Sequence, residues 1–379
     1  MLSHLRESLL WPMLWKEFVQ MRRDRLTLAM MVGVPVVQLM LFGYAIRTEV
    51  RHLPTVVLDE SRSSDSRALV AVMQNSGDFD VVARVEGRAA LADAIRSGRA
   101  RAAVVVPPDF EHDLKRGRTA QAQVIVDAAD PMASAAAISG ASLAAASLAA
   151  SRGSLAPAAA TARAAPPIEV RVRPWYNPAL RSEAYIVPGI VGVLLTLTML
   201  LITSMAIVRE RERGTLEQLV VTPVGKTSLM LGKILPFVLV GYVQMTNVLV
   251  MGRLLFGVPI RGSILLLYTI TLAFIVAMLG LGLLVSTVVR SQVQAMQLGF
   301  FLILPNILLS GFMFPREAMP VPAQWLSALL PLTYYLRVLR GILLKGLGAE
   351  YLWRDALVLV AFAIGLVGIS VRRFSKTLE

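Results

Sequence analysis

The sequence of 379 residues contains no cysteine and only three histidines. Without cysteine, disulfide bonds, thiolate nucleophiles and cysteine-based zinc or iron–sulfur sites are excluded. Charged residues are also scarce, at 17%, and 56% of the residues are hydrophobic, whereas soluble domains have about 25% charged and 45–50% apolar residues. This balance is typical of a membrane protein. The net charge of +13 does not indicate a nucleic-acid partner, because many of the basic residues flank apolar segments.

Six apolar segments are long enough to cross a bilayer, which takes about 20 mainly apolar residues in a helix. These predicted spans are 26–46, 183–208, 228–251, 263–289, 295–314 and 356–371. The first is too long for a signal-peptide core and no small-residue cleavage site follows it, so we expect a retained anchor. Before it, residues 1–25 predict a helix lying in the membrane interface, because Trp11, Leu14, Trp15 and Phe18 recur on one apolar face.

Six spans put both termini on one side of the membrane, and the positive-inside rule predicts that this side is the cytoplasm. The short segments on that side hold Arg6, Lys16, Arg22, Arg23, Arg25, Arg209, Arg211, Arg213, Lys226, Arg290, Arg372, Arg373 and Lys376. The short segments on the other side hold fewer basic residues: Arg253, Arg261, Arg316, Arg337, Arg340, Lys345 and Arg354.

Between spans one and two, residues 47–182 predict an extracytoplasmic α/β domain, because strand-like and helix-like segments alternate. In its Ala-rich part, 133–165, the first half predicts a helix, and 156–167 predicts a loop or weakly ordered linker. Asp127 and Asp130 follow a predicted strand, where turn and cap roles are favoured over a carboxylate pair. His52 and His112 lack metal-ligand spacing, and no hydrolase motif occurs, so we expect neither a metal site nor an enzyme here.

The segment Gly225–Lys226–Thr227 has the last three letters of a phosphate-binding loop. Such a loop needs a further glycine five positions earlier and must join a strand to a helix. Here Val220 stands at that position and a membrane span follows. The sequence therefore predicts no nucleotide site and no catalytic residue in this chain.

The segment just before it, "VRERERGTLEQLVVTP", joins spans two and three. Three arginines and three glutamates accompany a short apolar helical face, which favours docking on a protein partner over contact with an anionic membrane surface. This segment resembles the coupling helix of ABC-2-type transporter permeases, as found in bacterial multidrug-type exporters. The matching order is Glu210, Glu212, Gly214, Thr215, Leu216, Glu217, Gln218, Leu219, Thr222 and Pro223. A second match is 308–346, and the likeness covers nearly the whole chain.

The resemblance implies an α-helical, multi-pass permease subunit of an ATP-binding cassette exporter in the bacterial inner membrane. The loop 209–227 would couple it to separate ABC ATPase subunits, which would hold ATP and Mg²⁺. The coupling residues are Arg209, Glu210, Arg211, Glu212, Arg213, Gly214, Thr215, Leu216, Glu217, Gln218 and Leu219. The other partners implied are a second copy or a sister permease, with a periplasmic adaptor protein and membrane lipid as further candidates.

The resemblance implies a substrate path lined by spans two and five, facing across a dimer axis. Polar residues on these spans are candidates for its lining, since polar side chains in lipid usually face protein or water. They are Thr196, Thr198, Thr203, Gln294, Gln297 and Asn306. The alternative is that such side chains bond only their own backbone. In the segment 315–354, Pro315, Pro320 and Pro331 break the chain and Tyr335 follows, which predicts an outer gate. The resemblance implies that this segment holds short re-entrant helices.

Other functions stay open at this level. Export of drugs or amphiphiles is the leading interpretation, and a lipid or glycan export permease is the alternative within transport. In a different class, a membrane sensor would bind a ligand with its outer domain, although sensors usually need only two spans. A membrane-embedded hydrolase would need a histidine or acidic cluster within the spans, and the sequence has none.

Overall fold

The computed structural model of the chain describes residues 51–153, 168–214 and 226–373. The predicted interfacial helix, 1–25, and first span, 26–46, lie outside the described residues. So do the predicted loop 156–167 and the part of the coupling loop from 215 to 225. Within the described part, an α/β domain precedes five long helices at the positions of predicted spans two to six.

The α/β domain is built on one sheet of five strands in the order β2-β1-β3-β4-β5. The strands are β1 (Leu53–Asp59), β2 (Phe79–Arg84), β3 (Ala102–Val106), β4 (Ala120–Asp127) and β5 (Ile168–Trp175). Only β3 and β4 pair antiparallel; the other neighbours are parallel. The helices of the domain are α1 (Ser64–Asn75), α2 (Arg88–Arg96), α3 (Phe110–Lys115) and α4 (Pro131–Gly153). The prediction of an α/β domain is thus confirmed.

Helices cover both faces of this sheet. Val57 and Val104 pack with α1 and α4 on one face, and Val56 and Val105 pack with α2 on the other. Strand β3 is therefore buried along its whole length, which explains its unbroken apolar sequence.

Helix α4 carries the Ala-rich sequence and is apolar and long enough to cross a membrane by composition alone. Its buried residues Ala133, Ala137 and Ala141 recur every four positions and pack against the sheet. Alanine lets the helix lie close to the strands. It is one of six helices among the described residues that meet the length and composition of a span; the other five are the predicted spans two to six.

Four of the membrane-spanning helices are α5 (Ser182–Glu212), α6 (Lys226–Phe256), α7 (Ile264–Val288) and α8 (Gln292–Leu309). Beyond α8 come the short helices α9 (Val321–Ala328) and α10 (Pro331–Arg340), and a π-helical turn continues α10 over Gly341–Lys345. The bend between α9 and α10 is 86°, the geometry of a broken span or a re-entrant loop. The last helix, α11 (Ala349–Arg373), already includes 349–354 of the segment predicted as re-entrant.

Helix α7 forms the centre of the bundle. Its buried side chains, among them Phe274 and Met278, pack with α5, α6, α10 and α11 in one apolar cluster. Glycines allow the closest approaches: a Cβ at Gly282 would lie 2.7 Å from the carbonyl oxygen of Leu200 on α5.

The bundle has two ends, which are named here for what lies at them. The domain end holds the start of α5, together with α9 and α10, and the α/β domain contacts it. The coupling end holds 209–214 at the end of α5 and 289–292 between α7 and α8. Helix α5 has 31 residues and is therefore about 46 Å long, which suffices to put the two ends on opposite sides of a bilayer.

Candidate functional site

At the coupling end, the charged run finishes helix α5. Arg209, Arg211 and Glu212 occupy its last turn, and Gly214 follows with a left-handed φ of 69°. The backbone N–H of Gly214 donates to the carbonyl of Arg211 at 3.1 Å. A left-handed glycine of this kind ends helices because it satisfies terminal carbonyls without a Cβ clash. Thr215, Leu216, Glu217, Gln218 and Leu219 come next and lie outside the described residues.

The end of α5 is fastened to the start of α8 by Glu212 and Gln292, which are 80 residues apart. The backbone N–H of Gln292 donates to one Glu212 oxygen at 2.9 Å, and its side-chain amide donates to the other at 2.5 Å. Because Gln292 is the first residue of α8, the carboxylate also faces the positive end of that helix. We call this pair the Glu212 clamp.

A second contact supports the clamp: a guanidinium N–H of Arg211 donates to the carbonyl of Val289 at 2.9 Å. Val289 ends α7, so the charged end of α5 touches both helices beside it. Local sequence patterns do not predict this pairing, because its partners are far apart along the chain.

Among the predicted path residues, Gln294 lies at the coupling end. Its side-chain oxygen accepts a hydrogen bond from the backbone N–H of Arg290 at 2.8 Å. The backbone N–H of Gln294 donates to the Ser291 hydroxyl at 3.2 Å. Gln294 thus helps to satisfy the open backbone donors at the start of α8.

Thr196, Thr203 and Asn306 are buried inside the single chain. The hydroxyl of Thr196 donates to the carbonyl of Gly192 on its own helix at 2.8 Å. Asn306 likewise donates to Leu302 at 2.8 Å, and Thr203 lies against α7 at Gly282. In this conformation, these three side chains face neighbouring helices of the same chain.

Thr198 and Gln297 are half-buried. The hydroxyl of Thr198 accepts a hydrogen bond from the amide of Gln244 at 2.9 Å, which joins α5 to α6. The side-chain oxygen of Gln297 is buried and has no partner among the described residues. The role of these two residues and of the other predicted path residues stays a prediction.

At the domain end, the three predicted gate prolines each begin an element. Pro315 precedes a 3₁₀ turn over Arg316–Ala318, Pro320 precedes α9, and Pro331 is the first residue of α10. Proline suits these positions because a first-turn N–H has no intrahelical partner to lose.

Tyr335 anchors α10 to the centre of the bundle. It is fully buried, and its ring stacks on Phe274 of α7 with 4.0 Å between the ring centroids. Its hydroxyl lies 3.0 Å from the hydroxyl of Thr271, which is also on α7. The chain break at Pro331 therefore packs against protein, as non-helical backbone at membrane depth requires.

A buried ion pair links the α/β domain to this region. The carboxylate of Asp127, at the end of β4, lies 2.5 Å from the ammonium of Lys345 and 3.1 Å from a guanidinium nitrogen of Arg101. Burial raises the pKa of the Asp127 carboxyl, but Lys345 and Arg101 outweigh burial and hold that pKa below its usual value. The turn role predicted for Asp127 is confirmed, because the backbone N–H of Ala129 donates to its other carboxylate oxygen at 3.3 Å. Sequence reasoning missed the ion pair with Lys345. Asp130 does cap α4, by accepting from the backbone N–H groups of Met132 and Ala133.

The known proteins to which this chain is similar include transporter permeases. Residues 25–372 match the family described as ABC-2 family transporter protein. The chain is 31% identical over 369 residues to the "Probable multidrug ABC transporter permease YbhS" of Escherichia coli (strain K12), covering 96% of each sequence. It is 29% identical over 346 residues to "Probable multidrug ABC transporter permease YbhR" of the same organism, covering 91% of this chain and 92% of that protein. It is also 31% identical to "Inner membrane transport permease YhhJ" of that organism, over 74% of this chain and 75% of that protein.

Proposed function

The chain belongs to the ABC-2 family of transporter proteins, and on that premise we propose that it is the permease subunit of an ATP-driven exporter of drugs or other amphiphiles. It provides the membrane-spanning path, and separate ABC ATPase subunits supply the energy. The names of the relatives YbhS and YbhR, probable multidrug permeases, support this substrate class.

The observation that carries the proposal is the Glu212 clamp. The loop that resembles a coupling helix leaves α5 directly after the clamp, and the clamp fastens α5 to the start of α8. A force applied to the loop by a partner therefore acts on α5 and α8 together. These are the spans two and five that the family resemblance assigns to the substrate path, so the clamp joins the energy input to the path.

ATP and Mg²⁺ belong to the partner subunit in this proposal. Lys226 of the "GKT" triplet begins the membrane-spanning helix α6, a context that differs from the strand-to-helix turn of a phosphate-binding loop. The permease works with a second copy or a sister permease in the bacterial inner membrane. Both termini are cytoplasmic, and the α/β domain is on the outer side.

The test is ATP-dependent dye uptake into inverted membrane vesicles that contain the chain and its copurifying ATPase. Hoechst 33342, a fluorescent amphiphile, is the probe. Vesicles with the native chain should accumulate the dye on addition of MgATP, and vesicles with Glu217→Lys should not, because a reversed charge faces the partner. Double reversal of Arg372 and Arg373 to Glu, at the end of α11, is the matched control and should leave uptake near the native rate. Equal uptake in native and Glu217→Lys vesicles would refute the coupling role of the loop.

A further inference from the structure

A cavity of about 250 Å³ lies between the α/β domain and the predicted outer gate. One wall comes from α2, β3 and the start of α4, and the other from the end of α8, α10 and the start of α11. Six of the lining residues are basic, against two carboxylates, Asp130 and Asp355. The basic residues are Arg96, Arg101, Arg316, Arg337, Arg340 and Lys345.

Both carboxylates of the wall are already engaged. Asp355 forms an ion pair with Arg337, with 3.1 Å between its carboxylate oxygen and a guanidinium nitrogen. Asp130 caps helix α4. Asp127, next to the cavity, engages Lys345 and Arg101. Arg316 and Arg340 make no ion pair with a carboxylate among the described residues, so the wall keeps an excess of positive charge.

The guanidinium groups of Arg316 and Arg340 are nonetheless held in place. Arg316 donates to the carbonyl of Gln324 at 3.1 Å. Arg340 donates to the carbonyl of Gly311 at 2.9 Å and lies over the ring of Tyr185, 3.7 Å from its centroid. The two cations are therefore fixed by neutral carbonyls and a ring, which leave their charge uncompensated.

Three buried polar atoms of residues that line the cavity have no hydrogen-bond partner in the part of the chain that the structure describes. They are Nε of Arg316, Nε of Arg340 and Oγ of Ser310, whose residue is 3% exposed. Each can donate, and an arginine Nε can do nothing else. Buried donors without an acceptor are costly, so such atoms require an explanation. All three belong to residues that line the cavity, but the atoms themselves are covered in this conformation. The uncompensated charge of Arg316 and Arg340 is therefore what favours an anion as the ligand of this cavity.

We propose that this cavity binds a phosphate-type oxyanion, either the headgroup of an anionic amphiphile or free phosphate. A phosphate group offers three strong acceptor oxygens, whereas a carboxylate has only two, and the donors lie on separate elements. The volume equals that of about eight waters at roughly 30 Å³ each, which leaves room for a phosphate and a few further atoms. The ligand bridges the α/β domain and the gate. This inference goes beyond the proposed function, because binding needs no ATPase partner.

The experiment measures the thermal midpoint of the purified full-length chain in nonionic detergent at low salt. The probes are inorganic phosphate and dioctanoyl-phosphatidic acid, a phosphate monoester with three terminal oxygens, with dioctanoylglycerol as the matched lipid without a phosphate. We expect a saturable rise of the midpoint with at least one phosphate probe and none with dioctanoylglycerol. A rise with both phosphate probes identifies a site for the anion itself, and a rise with the lipid alone identifies a headgroup site.

Arg316→Gln removes one positive charge from the wall, so it should weaken the apparent affinity on the order of tenfold. Arg316→Lys keeps the charge without the guanidinium and should fall in between. Arg354→Gln is the control, because Arg354 is exposed on α11 and does not line the cavity. Raised salt should weaken binding to the native chain.

Either of two results would overturn the proposal. One is the absence of any saturable shift with both phosphate probes in the native chain, which is expected of a cavity filled only with water. The other is an equal affinity of the native chain, Arg316→Gln and Ser310→Ala, provided that the variants have a native midpoint without ligand.

Discussion

At the scale of single residues, the ion pair of Asp127 with Lys345 joins the α/β domain to the membrane-spanning part of the chain. Its side chain is fully buried, and that of Lys345 is 8% exposed. A buried charge that loses its partner is strongly destabilising, because desolvation is no longer offset. Arg101 remains beside Asp127 and limits the loss when Lys345 alone is changed.

Lys345→Gln should therefore lower the free energy of unfolding by about 2–4 kcal/mol. The double variant Asp127→Asn with Lys345→Gln should lose less than the sum of the single changes, since the two residues interact directly. Chemical denaturation in detergent, followed by tryptophan fluorescence, measures the free energy of unfolding of the native chain, the two single variants and the double variant. Simple additivity would show that the pair contributes no coupling.

The lowered pKa of Asp127 sets the pH range of this contribution. The carboxyl has its ordinary pKa of about 3.9 in the unfolded chain and a lower one in the folded protein. Its stabilisation is then fully present above the unfolded value and is lost as the pH falls through the folded value. The stability difference between the native chain and Asp127→Asn should stay constant from about pH 8 to 5 and shrink below about pH 4. A difference that vanishes between pH 7 and 6 would contradict the assignment.

At the scale of elements, glycines set the distance between helices in the bundle. A Cβ at Gly282 would lie 2.7 Å from the Leu200 carbonyl oxygen and 2.9 Å from the Cβ of Thr203, both on α5. At Gly365 on α11, a Cβ would meet nothing within 4 Å. Both positions are glycines within helices, but Gly282 is tightly packed against a neighbouring helix and Gly365 has open space around it.

Gly282→Ala should force α5 and α7 apart and cost about 1–3 kcal/mol. Gly365→Ala should cost nothing or stabilise its helix by about 0.5–1 kcal/mol, because alanine loses less backbone freedom. The thermal midpoints of the two variants, measured in the same detergent, test these two expectations. A Gly282→Ala variant as stable as the native chain would mean that these helices are not packed closely there.

Local sequence patterns predict most of the helices and strands, but they do not predict contacts between segments that are distant along the chain. Spans two to six and strands β1 to β4 follow from apolar length and alternation. Strand β5 was missed, although Ile168, Val170 and Val172 alternate with charged residues, because the Ala- and Pro-rich stretch before it read as a linker. The Glu212 clamp and the Asp127–Lys345 pair join residues 80 and 218 positions apart. No periodicity encodes such pairs, since they depend on how the helices and the domain assemble.

At the scale of the whole molecule, the α/β domain and the coupling end lie at opposite ends of α5. The predicted orientation puts the domain outside and both termini in the cytoplasm. Because the chain has no cysteine of its own, single cysteines at Ser3, Ser97 and Ser375 report on each side. Ser97 is exposed at the end of α2, and Ser3 and Ser375 lie outside the described residues.

An impermeant maleimide should label Ser97→Cys in intact spheroplasts, and should label Ser3→Cys and Ser375→Cys only after lysis. The physical reason is the excess of Lys and Arg in the short segments on the terminal side. Labelling of the two terminal positions in intact cells, with Ser97→Cys protected, would reverse the orientation.

The clamp also changes how the coupling loop should be probed. Glu212 is bound within the chain by Gln292, so reversing its charge would disturb α5 and α8 as well as any partner. Glu217 lies five residues further along the resembling segment and serves as the sharper probe. Glu212→Gln, which keeps the shape and removes the charge, separates the internal contact from docking.

Whether a separate ATPase drives this permease is tested by MgATP hydrolysis in material that copurifies with the tagged full-length chain from membranes of its native host. The native chain should bring down an ABC-type ATPase subunit, and the eluate should hydrolyse ATP. Glu217→Lys should reach the membrane at native levels yet lose both the subunit and the hydrolysis by more than tenfold, because a mispaired interfacial charge costs about 2–5 kcal/mol. Undiminished copurification and hydrolysis with Glu217→Lys, or robust hydrolysis by the isolated chain that Lys226→Ala abolishes, would contradict a permease driven through this loop by a separate ATPase.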